Sequence, residues 1–291
     1  MPEPVCPDGD FGSPIGGQTV ATAVATGFHF LEGPVWIGST LWLSDMDFGG
    51  GGPDNVPPST IYEFDGDDAN PVVVDAGSNG LAIDSNSMVI ACTHDDRTVS
   101  RIDPTTLQRQ TVADSYMGMK FNSPNDVAVR GDGTIYFTDP TWQLGNRQQE
   151  IPFKGVFRIT LADEVVLVAD DFGSPNGIAL SPGEDTLYVA DDAKGLVERF
   201  DVATDGSTSG RAEFAMTPGA DGLCMDCAGN VYVAAYGGVR IFEPSGTEIG
   251  TIEVADKPSN CAFGGADRKT LYVTAGATLY AVDLEVPGLP Y

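Results

Sequence analysis

Short runs of alternating apolar and polar residues, broken by glycine-rich turns, fill the chain from about residue 30 to about residue 283. The clearest run is Asn125-Asp126-Val127-Ala128-Val129, then Gly131-Asp132-Gly133, then Thr134-Ile135-Tyr136-Phe137-Thr138-Asp139. Apolar alternation on both sides of an Asp-Gly turn predicts a β-hairpin. The pattern returns at Asn176–Leu180 with Thr186–Asp191, and at Asp221–Met225 with Val231–Ala234. Fainter copies lie at Glu32–Trp36 with Leu41–Asp45, at Asn79–Ile83 with Met88–Ala91, and at Asn260–Phe263 with Thr270–Thr274. Further strand pairs such as Ser59–Phe64 and Gly155–Ile159 fall between the hairpins, so each unit holds about four strands, the size of a propeller blade. The copies start at Glu32, Asn79, Asn125, Asn176, Asp221 and Asn260, roughly 40 to 50 residues apart, and no helical period competes. The expected fold is all-β, a six-bladed β-propeller with a central metal-binding channel, because closing the ring removes exposed sheet edges. A two-sheet sandwich does not account for the repeat. No linker is evident, which predicts one domain over 1–291, with 1–27 as an N-terminal extension and ring-closing strand.

The first strand of each blade lines a propeller's channel, so the first residue of each copy is expected near the channel mouth. All six are carboxylates or carboxamides: Glu32, Asn79, Asn125, Asn176, Asp221 and Asn260. Asn and Asp before Gly also cap turns through their side chains. Six aligned copies, one of them Glu, favour a shared ligand cage over turn chemistry alone. Oxygen donors without thiolate or imidazole suit a hard cation, and calcium accepts six to eight of them in loose geometry. Another divalent cation is compatible with the same donors.

Composition narrows the partners. Asp and Glu number 42 against 15 Lys and Arg, a formal charge of −27 that repels phosphate backbones and argues against nucleic acid. No run of about 18 apolar residues exists to span a membrane. The start, Met1-Pro2-Glu3-Pro4, lacks a charged and apolar leader, so no signal peptide is expected within this sequence. Five cysteines leave at least one thiol unpaired within the monomer. Cys224-Met225-Asp226-Cys227 has no second pair to complete a zinc site, and one or two disulfides or buried thiols are expected instead. Together with the acidic surface, this tilts the reading towards a periplasmic or secreted setting. The oligomeric state is not legible.

The stretches Leu31-Glu32-Gly33-Pro34-Val35-Trp36, Phe121 through Pro140, Phe153–Arg158 and Ala262-Phe263-Gly264-Gly265 resemble the gluconolactonase and regucalcin (senescence marker protein) family of calcium-dependent lactonases. The resemblance runs from about residue 28 to about residue 283. It implies calcium ligands at Glu32, Asn176 and Asp221, and a metal or substrate contact at Asn125; the repeat singles out the same four positions. Two stretches depart from the family: Cys92-Thr93-His94-Asp95-Asp96-Arg97, and the glycine-rich loop 46–58, which reads either as a lid or as a flexible connection.

The chemistry expected is hydrolysis of a small lactone or ester, with the metal polarising the carbonyl and a carboxylate activating water. Asp221 is the expected ligand and general base, Asp126 the second candidate base, and Asn125 would orient substrate or metal-bound water. Asn79, His94, Met119, Trp142 and Asn260 are expected substrate contacts. A Gly-x-Ser-x-Gly elbow and a P-loop are both absent from the sequence. The alternatives are an organophosphate or fluorophosphate hydrolase on the same calcium, and a non-catalytic calcium-binding propeller.

Overall fold

The computed structural model describes residues 6, 7, 9 and 11–289. Residues 1–5, 8, 10 and 290–291, which belong to the span expected to be one domain, lie outside the described residues. Among the described residues the strands form six four-stranded antiparallel sheets, which are the six blades of a propeller. Blade 1 runs through Leu31–Ile37, Thr40–Met46, Ser59–Phe64 and Ala69–Val73. Blade 2 holds Ser78–Ile83, Val89–Thr93, Thr98–Ile102 and Arg109–Ala113. Blade 3 holds Val127–Val129, Ile135–Asp139, Gly155–Ile159 and Val165–Ala169, and blade 4 Pro175–Leu180, Thr186–Asp191, Leu196–Val202 and Thr208–Met216. Blade 5 is Leu223–Met225, Val231–Ala235, Gly238–Phe242 and Glu248–Ile252. Blade 6 takes Asn260–Gly264, Thr270–Ala275 and Thr278–Asp283 from the end of the chain and Thr22–Thr26 from its beginning. That outermost strand pairs antiparallel, Thr22 opposite Ala281 and Thr26 opposite Thr278, and fastens the two ends of the described chain to each other.

The core lies between blades. Each of the six interfaces carries one apolar cluster drawn from the two facing sheets. Val35, Trp42 and Ile61 meet Leu81, Val89 and Ala91 between blades 1 and 2. Phe121, Phe137 and Phe157 stack against Ile90 and Val99 between blades 2 and 3. The alternation read along each strand therefore buries both sheet faces against neighbours.

A disulfide joins Cys6 to Cys227, across 221 residues of sequence. Cys92, Cys224 and Cys261 are buried thiols, and the last two face each other between blades 5 and 6.

Candidate metal and substrate site

In five of the six repeats the opening side chain sits where regular pairing breaks down, whereas Asn260 pairs regularly with Thr274. In blades 1, 2 and 4 the first strand slips register between Glu32 and Val35, between Ser78 and Leu81, and between Pro175 and Ile178. In blades 3 and 5 the strand starts only after Asn125 and Asp221. Such bulges re-aim a side chain that a regular ladder would turn onto the sheet face. Successive blades are stitched together at the same level: Gly80 N donates to Asn125 O at 2.7 Å, Gly177 N to Asp221 O at 3.1 Å, and Gly222 N to Ser259 O at 2.7 Å. The approach is too close for side chains. A Cβ on Gly33 would lie 2.1 Å from Asn79 O, and one on Gly222 would lie 2.0 Å from Asn260 Cγ.

A second device fixes three of these positions. Asp139 and Asp191 end the second strands of blades 3 and 4, Asp45 lies one residue before the end of that of blade 1, and each carboxylate accepts two backbone N–H groups from the approach to the first strand. Asp45 takes His29 N and Phe30 N at 2.7 and 2.9 Å. Asp139 takes Asn122 N and Ser123 N, both at 2.8 Å. Asp191 takes Gly173 N and Ser174 N at 2.8 and 2.9 Å. The clamped residues lie three and two places before Glu32, Asn125 and Asn176.

The result is a cavity of about 320 Å³ at one mouth of the channel. Glu32, Asn79, Asn125, Asn176 and Asp221 share its wall. Asn176 Nδ2 donates to Asp221 Oδ1 at 2.6 Å, and Lys257 Nζ lies 3.1 Å from Asp221 Oδ2. Phe30, Met46, Phe48 and Trp142 form the apolar rim, and Gln143 and Asp192 add polar groups. Burial pushes the Glu32 carboxyl well above the usual carboxylate range, and the charges of Asp221 and Asp126 add to that. Burial pushes Asp221 up to about 6, with the Lys257 ammonium pulling against it.

Five oxygen-bearing side chains, two of them buried carboxylates, fit a hard divalent cation: with one ammonium nearby, the paired carboxylates repel each other until a cation neutralises them. Among the described residues no three His, Cys, Asp or Glu side chains converge as a metal cluster, so carboxamides would complete the set. No helix among them is long and apolar enough to cross a membrane.

Four expected site residues are placed elsewhere. Asp126 stands where four other copies have a glycine after the first residue, and its carboxylate accepts Val127 N and, from blade 4, Ile178 N. It lines the cavity on the other side of the ring, about 440 Å³, rather than the mouth, and burial pushes it up to about 7. Its place is that of a blade connector rather than of the candidate base. Asn260 lines the same inner cavity, with Nδ2 3.2 Å from Glu32 Oε2 and Oδ1 accepting Cys261 N; it supports Glu32 from beneath instead of meeting substrate. His94 is fully buried, its Nε2 2.9 Å from Pro57 O, so the imidazole braces a loop. Met119 sits in a small hairpin with Tyr116 and packs on the blade 2–3 cluster. Trp142 does line the mouth.

Loop 46–58 is a docked strap. Asp47 N bonds Pro58 O, and Asp54 O accepts Asn146 N at 2.7 Å. It carries Phe48 to the rim. Sequence reasoning missed Lys257, Phe30, Phe48 and the three clamping aspartates. The aspartates left a signal, a shared position at the end of the second strand in three copies, whereas Lys257 belongs to no repeat position.

Residues 30–277 match the family described as SMP-30/Gluconolactonase/LRE-like region. A gluconolactonase of Zymomonas mobilis is 30% identical over 296 residues, covering 91% of this chain and 81% of that one. The solved structure of a gluconolactonase from Xanthomonas campestris is 30% identical, superposes with a TM-score of 0.79, and covers 91% of this chain and 88% of the other. A calcium-binding protein, regucalcin, from Agrobacterium tumefaciens shares the fold, with a TM-score of 0.77 at 20% identity, and covers 94% of this chain and 97% of its own. A propeller whose channel mouth is ringed by oxygen donors, matched to one family over most of its length, is a member of the SMP-30/gluconolactonase/LRE-like family.

Proposed function

We propose that this protein is a calcium-dependent lactonase that opens a small sugar-type lactone. The observation that carries this reading is the convergence of Glu32, Asn79, Asn125, Asn176 and Asp221 on one cavity, each from the start of a different blade. The gluconolactonase relatives support the lactone as substrate class. Glu32, Asn125, Asn176 and Asp221 would hold the ion, and Asn79 completes the polar wall. Calcium bound there supplies a Lewis acid for the lactone carbonyl.

The chain's own residues do the rest. Asp221 takes a proton from water, whose oxygen bonds to the carbonyl carbon. The ring C–O bond then breaks, and the proton returns to the ring oxygen to leave an open hydroxy acid. Lys257, 3.1 Å from Asp221 Oδ2, keeps that carboxylate ionised and limits its movement. Phe30, Phe48 and Trp142 give the mouth an apolar rim against which the ring packs. The Cys6–Cys227 disulfide supports a periplasmic or secreted setting.

The test is a panel of sugar lactones with one organophosphate, turned over by the wild-type protein and by Asp221→Asn. Lactone turnover lost in the variant supports the assignment. Faster turnover of the organophosphate would move the activity to phosphotriesters, and no turnover of any member would leave a binding protein.

A further inference from the structure

Next to the mouth lies a second cavity of about 290 Å³, between the strap and the turn that follows the second strand of blade 3. Asn55, Val56 and Pro57 form one wall, and Thr141, Leu144 and Gly145 the other. Phe48 and Trp142 belong to the walls of both cavities. Their side chains are unusually open for large apolar groups at a site: Phe48 is 58% exposed and Trp142 42%. The walls are already built. A Cβ on Gly145 would lie 2.3 Å from Asp54 O, so only glycine lets the strap press against the turn. Asn146 N holds Asp54 O, and His94 holds Pro57 O from below. Arg147 donates to the carbonyls of His94, Asp95 and Gln143, which ties the turn to blade 2.

A preformed cavity with Asn55 and Thr141 as polar side chains in facing walls, and exposed aromatic faces at its junction with the mouth, has the chemistry of a saccharide subsite. The C–H face of a sugar ring packs on the aromatics, and its hydroxyls meet the loop's polar groups. We propose that the second cavity is a subsite for a further sugar ring, so that the preferred substrates are lactones of glycosylated sugar acids. The lactone ring sits in the mouth, and the glycosyl unit lies against Trp142 and Phe48. The inference rests on the lactonase reading above and names the class of substrate for the same site.

The experiment compares kcat/KM for glucono-1,5-lactone, its 4-O-glucosyl derivative and a long-chain alkyl γ-lactone, in the calcium-loaded wild type and in Thr141→Trp. Thr141 lines the second cavity and not the mouth. The glucosylated lactone is expected to be favoured by about tenfold, mainly through KM, with that ratio collapsing towards one in the variant. Equal turnover of the two sugar lactones or a ratio unmoved by Thr141→Trp overturns the subsite and leaves the lactonase reading standing, whereas preference for the alkyl lactone overturns both the subsite and the sugar-type substrate. No turnover of any lactone by the wild type overturns both. A further readout needs no variant: titration with cellobiitol, which has no lactone to hydrolyse, should give a saturable change in tryptophan fluorescence. A flat titration also overturns the subsite.

Discussion

At Asp221 burial and Lys257 act in opposite directions on one carboxylate. Burial pushes the group up to about 6, and the ammonium 3.1 Å away holds it from rising further. In the proposed reaction an ionised Asp221 takes the proton, so kcat/KM should fall as pH drops through about 6, and calcium would move that limb lower. Removing the ammonium raises the carboxyl, so Lys257→Met should shift the acid limb to higher pH; a limb that stays put in a pH–rate profile contradicts the pairing. Glu32→Gln removes one of two buried carboxylates from the cage and should weaken calcium binding by about 10- to 100-fold, read by titration calorimetry. At this scale the sequence was half legible. The repeat marked Glu32, Asn125, Asn176 and Asp221 because the same backbone position recurs in every blade. Lys257 escaped because it comes from an irregular connection between blades 5 and 6, where only folding shows which way a side chain reaches.

The clamps at Asp45, Asp139 and Asp191 show how one strand can fix the approach to a side chain of the proposed calcium site that another strand carries. Each carboxylate lies at or next to the end of one strand and holds the approach to another by accepting two of its backbone N–H groups. Asp139→Asn can accept only one of its two N–H groups well. It should cost about 1–3 kcal/mol in unfolding measurements and weaken calcium binding through Asn125, although the substituted side chain touches no ligand atom. Unchanged calcium affinity with lowered stability would reduce Asp139 to a purely structural bond. Strands and turns were the most legible level, since alternation and Asp-Gly turns are local chemistry. The strap was not: its glycines predict freedom, but Asn146, His94 and Gly145 lie far along the chain and fix it. The same distance explains His94 and Met119, whose neighbours belong to other segments and fill their surroundings before substrate can.

Across the whole molecule the ring is held by its six apolar interfaces, by the Thr22–Thr26 strand and by the Cys6–Cys227 bond. The pairing of Cys6 with Cys227 was not readable, because five cysteines allow many connections and only closure of the ring brings these two together. Cys227→Ser should lower stability by about 2–5 kcal/mol, seen as an earlier thermal transition that reduction of the wild type reproduces. Buried acids set the pH dependence. Asp126 and Asp139 are both raised to about 7 by burial, so between about pH 4 and pH 7 the folded chain holds more protons than the unfolded one. Stability of the calcium-free protein should therefore be greatest at the acid end of that window and fall as pH rises through it. If oxygen donors from separate blades create the activity by holding calcium, glucono-1,5-lactone hydrolysis by protein stripped with a chelator, before and after calcium is added back, shows it most directly. Turnover is expected to vanish on stripping and to return with calcium in the wild type but not in Asp221→Asn; undiminished turnover by the stripped protein would contradict calcium dependence.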